Sequence, residues 1–200
     1  MISPDLPASL RAAIEHEAHG LSRGSIAVRS AAISRTYRDG GDSGAIRDDA
    51  DALAYALARM PATYAAVAAC LNALTIARGN FDPESLLDVG AGPGTATWAA
   101  LEACPSLRRA DLLDANAALR RLALALAADR MHGAALDYHR ADARAGVAAM
   151  PEADLVIASY MIGELTEAAR EAVATELWRK TRDTLLVVEP GTPAGFARIV

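Results

Sequence analysis

Several things are scarce in this sequence of 200 residues. It has two cysteines, Cys70 and Cys104, both within stretches of helical spacing. Two thiols so placed make neither a disulfide framework nor a metal cluster, and buried thiols in a reducing compartment are expected. Charge of one sign is not in excess, since 20 Lys and Arg against 25 Asp and Glu leave a formal net charge of −5. Nothing global therefore attracts nucleic acid, and any contact with RNA has to be local. No signal-peptide pattern opens the chain, and apolar runs are short or interrupted; Leu122 to Ala128 is bracketed by Arg121 and Asp129. Such runs do not span a bilayer, so a soluble, cytoplasmic protein without a membrane partner is expected. What the chain does have is apolar content, 52% of its residues, much of it alanine. That suffices for one α/β domain with a modest appendage and closely packed helices.

The most informative stretch is Leu86-Leu87-Asp88-Val89-Gly90-Ala91-Gly92-Pro93-Gly94-Thr95. A short apolar run ending in an acid and passing into alternating glycines predicts a buried parallel strand that turns sharply into a helix over residues 95–103. Glycine at such a turn tolerates positive φ and lets a ligand approach the backbone, and the first amides of the helix would face that ligand. A tight turn without a ligand is the alternative. A phosphate-cradling GxxxxGK[ST] loop is excluded because no lysine follows Gly94, and the dinucleotide pattern GxGxxG/A fits poorly because Thr95 stands at its sixth position. The string D-x-G-x-G-x-G instead resembles motif I of the S-adenosylmethionine (SAM) methyltransferases. That resemblance implies that Asp88, Gly90, Ala91, Gly92 and Gly94 embrace the methionine part of SAM, whose cationic charge suits an acidic neighbour.

Residues 1–80 form an expected helical subdomain. Leu6, Leu10 and Ile14 recur every four residues behind Asp5 as a cap, and Gly20 closes that helix. Between residues 22 and 38 lie Arg23, Arg29, Arg35 and Arg38 with no acid among them. They form either a surface for RNA phosphates or a solvated face with internal ion pairs. Residues 39–44 are a polar break. Ile46, Ala50, Leu53, Leu57 and Met60 then mark a helix that Pro61 ends, and Tyr64, Val67, Leu71 and Leu74 mark the next. Tyr64 lies on the apolar stripe as a core residue, with contact to a cofactor as its second reading.

Residues 81–200 alternate strand and helix, which predicts a doubly wound, Rossmann-like parallel α/β sheet. The strands are expected at 110–115, 136–140, 154–159 and 184–188, with helices after Asn116 and over 166–181. Asp114 ends a strand about 20 positions beyond the glycines, where such folds bind a ribose; Asp111 is the second candidate. In methyltransferases an acid after the third strand accepts from the adenine amino group, which the resemblance assigns to Asp142. Tyr160 and Glu164 follow the fourth strand at its carboxyl end, so that they could face the methyl donor or the acceptor.

Met60-Pro61-Ala62-Thr63-Tyr64, SLLDVGAGPGTATWAA from Ser85, DLVIASYMIGEL from Asp154 and VEPGTPAGF from Val188 together resemble the ribosomal small-subunit methyltransferase-like family, typified by a mitochondrial small-subunit protein and its bacterial relatives. The resemblance implies SAM binding, association with the small ribosomal subunit or its RNA, and RNA methylation. The usual sheet of such enzymes has two further strands, so that a truncated C-terminus is expected. The family's cysteine-rich segment, tied in the mitochondrial branch to an iron-sulfur cluster, has no counterpart in these residues, and no metal ligand is assigned. After the fourth strand the chain reads SYMIGE rather than the [DNS]-PP-[YF] of enzymes that methylate exocyclic amines, and no catalytic residue is assigned. Two functions remain open: a SAM-dependent methyltransferase acting on ribosomal RNA, and an assembly factor that keeps the fold without turnover.

Overall fold

Five apolar runs pair side by side, all parallel, in the order β3-β2-β1-β4-β5: β1 (Ser85–Val89), β2 (Arg109–Asp114), β3 (Ala135–Arg140), β4 (Ala153–Ser159) and β5 (Thr181–Val188). The computed structural model describes residues 1–38, 41–128 and 133–199, with Arg38 by its backbone alone. The expected polar break therefore lies partly outside the described residues, as does Asp129. In register, Leu86 faces Ala110 on one side of β1 and Leu155 on the other. β1 and β4 are covered on both faces, which is why they read as continuous rather than alternating apolar runs.

Successive side chains alternate between the two faces. Leu86, Leu112, Leu155 and Ile157 point toward one cluster, and Leu87, Val89, Leu113, Val156 and Ala158 toward the other. The first cluster is roofed by α1 (Ala8–Glu17), α2 (Arg23–Arg38), α3 (Asp49–Ala77), α4 (Thr95–Ala103) and α5 (Ala117–Ala127). The second is covered by α6 (Ala143–Gly146) and α7 (Glu167–Lys180), and α8 (Pro193–Ile199) follows β5. The first helices supply Leu10, Ile14, Met60 and Leu71 to the core that Leu86 and Leu112 complete, with α1 packed on α3 and α5 and α2 packed on α3.

Three local expectations change. Pro7, not Asp5, precedes the first turn of α1, and the Asp5 amide bonds Ser3 Oγ instead. Pro61 does not divide two helices but lies inside the single helix α3. It removes one donor from the ladder, while Met60 and Tyr64 on either side are anchored in the core. Tyr64 is 1% exposed in that core, so its place is packing rather than contact with a cofactor. α3, with 29 residues and a mean hydropathy of 1.4 over its most apolar window, is by length and composition an apolar run long enough to cross a membrane. This departs from the expectation of short runs only; its buried stripe from Leu53 to Leu71 is engaged by the rest of the fold.

Candidate functional site

The strand order reverses between β1 and β4, and the crevice beyond their carboxyl ends is where an open parallel sheet receives a ligand. The glycine turn forms its floor. Gly90, Gly92 and Gly94 have φ of +71°, +54° and +80°. Two of them differ in what demands glycine. A Cβ on Gly90 would stand 2.5 Å from Met161 Cβ, so that packing alone forbids it; one on Gly92 would meet only Leu119 Cδ1 at 3.8 Å. The turn's own amides are largely engaged by protein. Gly90 and Ala91 donate to Leu113 O, Gly94 to Ala91 O, and Gly92 to Asp114 Oδ2 at 2.9 Å. Tyr138 Oη donates to Gly92 O at 2.6 Å from below. The bend's own amides are thus largely spent within the protein: Asp114 and Tyr138 fix it, and at its glycines it presents backbone without side chains.

Directly behind it, Asp88 at the end of β1 is 1% exposed. Its Oδ2 accepts from Thr97 Oγ1 at 2.7 Å and from Thr97 N at 3.1 Å. Its Oδ1 is buried and has no partner among the described residues, and the same holds for Ser159 Oγ at the end of β4. Both residues line one narrow inner chamber of about 60 Å³ together with Ala91, Thr95 and Ala96. Burial pushes the Asp88 carboxyl up to about 6, with Asp114 adding to the rise and the two Thr97 bonds opposing it.

The chamber shares Gly90, Asp114, Met161 and Glu164 with an outer cleft of about 370 Å³ that reaches Asn116 and Asp142. Asp114 points into this crevice. Its two oxygens accept from Gly92 N and Asn116 N, and an ionised carboxylate has lone pairs left for two more donors. Asp111, the second ribose candidate, belongs elsewhere: it is bonded by Arg109 Nε at 2.6 Å and His139 Nε2 at 2.9 Å and does not border the cleft. Asp142 borders the cleft, yet its carboxylate is held by Arg144 through Nε and Nη2, which keeps it below the usual carboxylate range. Tyr160 lines the inner chamber and is the non-glycine residue with positive φ, +58°, among those described, a conformation that costs a side-chain-bearing residue energy and concentrates at functional sites.

Residues that sequence patterns missed come from the helical roof. Tyr37 of α2, Tyr55 of α3 and Ser43 of the connecting turn border the inner chamber opposite the sheet. Asn116 holds that turn in place: its Nδ2 donates to Ser43 O at 2.8 Å and Ile46 O at 2.9 Å, while its Oδ1 caps α5. An asparagine before a helix signals a cap, but nothing local signals that its amide reaches 73 residues back. Of the four arginines of the supposed RNA surface, Arg23, Arg29 and Arg35 do not form one stripe. Arg29 is paired with Asp48 at 3.1 Å and Asp51 at 2.5 Å. Arg23, Arg29 and Arg35 stand six residues apart, which at 3.6 residues per turn separates them by roughly 120° around α2. The side chain of Arg38 lies outside the described residues.

A five-stranded parallel sheet in this order, with a glycine turn after β1 and acids ending β1 and β2, is the Rossmann-like fold of the class I SAM methyltransferases. Solved structures share it. An O-methyltransferase family protein from Burkholderia thailandensis matches 74% of this chain and 45% of its own at a TM-score of 0.58 and 17% identity. A Methanococcus maripaludis protein described as a SAM-dependent methyltransferase, MMP1179, matches 70% of this chain and 63% of its own at a TM-score of 0.54 and 15% identity. The chain belongs to the family of the mitochondrial small ribosomal subunit protein Rsm22, whose profile matches residues 49–200. The human mitochondrial ribosome assembly protein METTL17 is 32% identical over 152 residues, 74% of this chain; the chain spans 33% of that curated relative. These matches correct the cytoplasmic expectation, since the family description and the human relative are both mitochondrial and point to mitochondria instead.

Proposed function

We propose that this chain binds SAM in the crevice beyond β1, β2 and β4 and acts with the small ribosomal subunit as an RNA methyltransferase. Residues 81–200 are the binding body in this reading and residues 1–80 its cover. The observation that carries it is the pair of buried, partnerless atoms, Asp88 Oδ1 and Ser159 Oγ, which open on one chamber beside the glycine turn. Orphaned polar atoms in a folded interior cost free energy unless a ligand or water completes them, and an acceptor beside a hydroxyl suits the cationic amino-acid end of SAM. Gly92 leaves room for that end in the bend that Gly90, Ala91 and Gly94 shape, Asp114 takes the ribose, Asp142 borders the adenine side, and Tyr160 stands at the donor's reactive end. Bound SAM would supply a methyl group on a good leaving group, so the protein's share is to orient the partners and to exclude water.

One observation favours a second reading, an assembly factor that binds SAM without turnover: the segment after β4 is SYMIGE, without the motif of exocyclic-amine methylation. Calorimetry with SAM, followed by tritiated-methyl transfer to small-subunit RNA, separates the two. Binding with transfer supports the enzyme, binding without transfer the assembly factor, and absence of binding overturns both.

A further inference from the structure

A third cavity, of about 680 Å³, adjoins the inner chamber on the side of the helical roof, and the two share Tyr37, Tyr55, Thr63, Tyr160 and Glu164. Its chemistry is unlike that of the SAM cleft. Tyr37 and Tyr55 have ring centroids 6.0 Å apart at an interplanar angle of 41°. The Arg59 guanidinium lies 5.6 Å from the Tyr37 ring centroid and has no ion pair among the described residues. The other arginine of the cavity, Arg198, is by contrast held by Glu189 at 2.9 Å. Glu164 stands on the rim between the two cavities, its Oε2 3.4 Å from Ser43 N.

Apart from the Glu189–Arg198 pair, the cavity presents three tyrosine rings, the Glu164 carboxylate and Arg59, a cation with no ion pair among the described residues, and these match the parts of one nucleotide. We propose that this cavity receives a nucleotide of single-stranded RNA, its base against Tyr37, Tyr55 and Tyr160, its phosphate on Arg59 and a ring N–H of the base on the Glu164 carboxylate. The proposal rests on the methyltransferase reading, since it gives the methyl acceptor a place beside the donor's. Stacking of a base on an aromatic side chain contributes roughly 1–3 kcal/mol and tolerates any base, so discrimination falls to Glu164. An ionised carboxylate only accepts; at the ring nitrogen of the pairing edge uracil and guanine carry an N–H, whereas cytosine has a lone pair that repels the carboxylate and donates only from its 4-amino group to one side. The state of Glu164 is set by the groups around it: Tyr37 from α2, Tyr55 and Arg59 from α3, Asp42 and the Ser43 amide from the turn, Asp114 from β2, and Glu189 with Arg198 beyond. Crowding by the chain pushes its carboxyl up to about 7, Asp114 and Asp42 add to this, and Ser43 N–H and the Tyr37 hydroxyl oppose it. The acceptor form thus dominates above that pH and the preference for uracil over cytosine grows on going from pH 6 to pH 8.

Fluorescence anisotropy of the full chain with labelled oligouridylate and oligocytidylate hexamers, without cofactor, tests this. The expected result is tighter binding of oligouridylate at pH 8, with a smaller difference at pH 6. Glu164→Gln should abolish the difference, because an amide both donates and accepts. Arg59→Gln should weaken oligouridylate about tenfold and lower the salt slope by about 0.7, with SAM affinity by calorimetry unchanged and Arg59→Lys restoring most of the loss. Equal binding of the two oligomers at both pH values overturns the proposal, as does an Arg59→Gln chain with wild-type affinity and salt slope. SAM binding without oligonucleotide binding overturns the nucleotide site and leaves the cofactor reading standing; the reverse result sustains the site and overturns the cofactor reading.

Discussion

Asp88 has two oxygens in different circumstances, one satisfied by Thr97 and one that has no partner among the described residues. Its folded-state carboxyl titrates at about 6 against an ordinary 3.8. A carboxyl raised in this way contributes stability below about 3.8 and loses it as pH rises through about 6. At pH 7 the ionised group is therefore a cost. Asp88→Asn keeps an oxygen for Thr97 and removes the charge, and we expect its Tm to rise at pH 7 by roughly 3 °C, about 1 kcal/mol for a chain of this size, with no gain at pH 4 and with SAM affinity lost. Differential scanning fluorimetry at both pH values and calorimetry check this; an unchanged Tm at pH 7 sinks it. Gly92→Val should fold with a loss of about 1–2 kcal/mol from its positive φ and should not bind SAM, because the added side chain enters the cleft. Wild-type affinity in that variant would mean that the ligand lies elsewhere. Alternating glycines in the sequence announce a tight turn, but not that Gly90 answers to Met161 while Gly92 answers only to its own positive φ; that distinction depends on a side chain 71 positions away in the chain.

Elements were legible where their signals are local. The helix over Thr95–Ala103 and the strands follow the apolar runs, with ends moved by one to three residues. α3 misled because a proline inside a pattern is also a boundary signal, and only packing on both sides of Pro61 decides for continuity. The turn at Ser43–Ile46 depends on a long-range contact. Asn116 serves as cap for α5 and as clasp for the turn at Ser43–Ile46. Asn116→Ala should cost about 1–3 kcal/mol in urea unfolding, combining a lost cap with two unsatisfied carbonyls. Asn116→Asp keeps the cap and loses only the donors, so its stability should fall between the other two. Equal stability of the two variants would assign the whole effect to the clasp.

At the scale of the molecule, the helical roof is part of one apolar interior and one wall of the cleft. Leu6, Leu10, Ile14 and Ile33 are buried beneath it, and each such side chain contributes roughly 1.5–3 kcal/mol through burial. Their sum is comparable to the roughly 5–15 kcal/mol that holds a typical domain folded. A chain lacking residues 1–42 should consequently bind a hydrophobic dye and lose its cooperative unfolding transition, although the family profile begins only at residue 49. A cooperative transition at the wild-type Tm would show that the roof is an independent appendage. Of the two expected buried thiols, Cys104 is buried and Cys70 only half-buried; burial pushes the Cys104 thiol up to about 11 and raises Cys70, which leaves neither a ready nucleophile.

The order of residues alone determined the strand-glycine-helix unit, the parallel α/β class and the acids that end β1 and β2, because strand alternation, turn chemistry and helix spacing are properties of neighbours along the chain. Tertiary structure alone decided that, among the described residues, Asp88 keeps one oxygen without a partner and Arg29 has an ion pair while Arg59 has none, and that Ser43 meets Glu164 across 121 positions. Burial, ion pairing and the acidity of a carboxyl are set by what the fold brings within a few ångströms, and no periodicity along the chain encodes which distant segment that is.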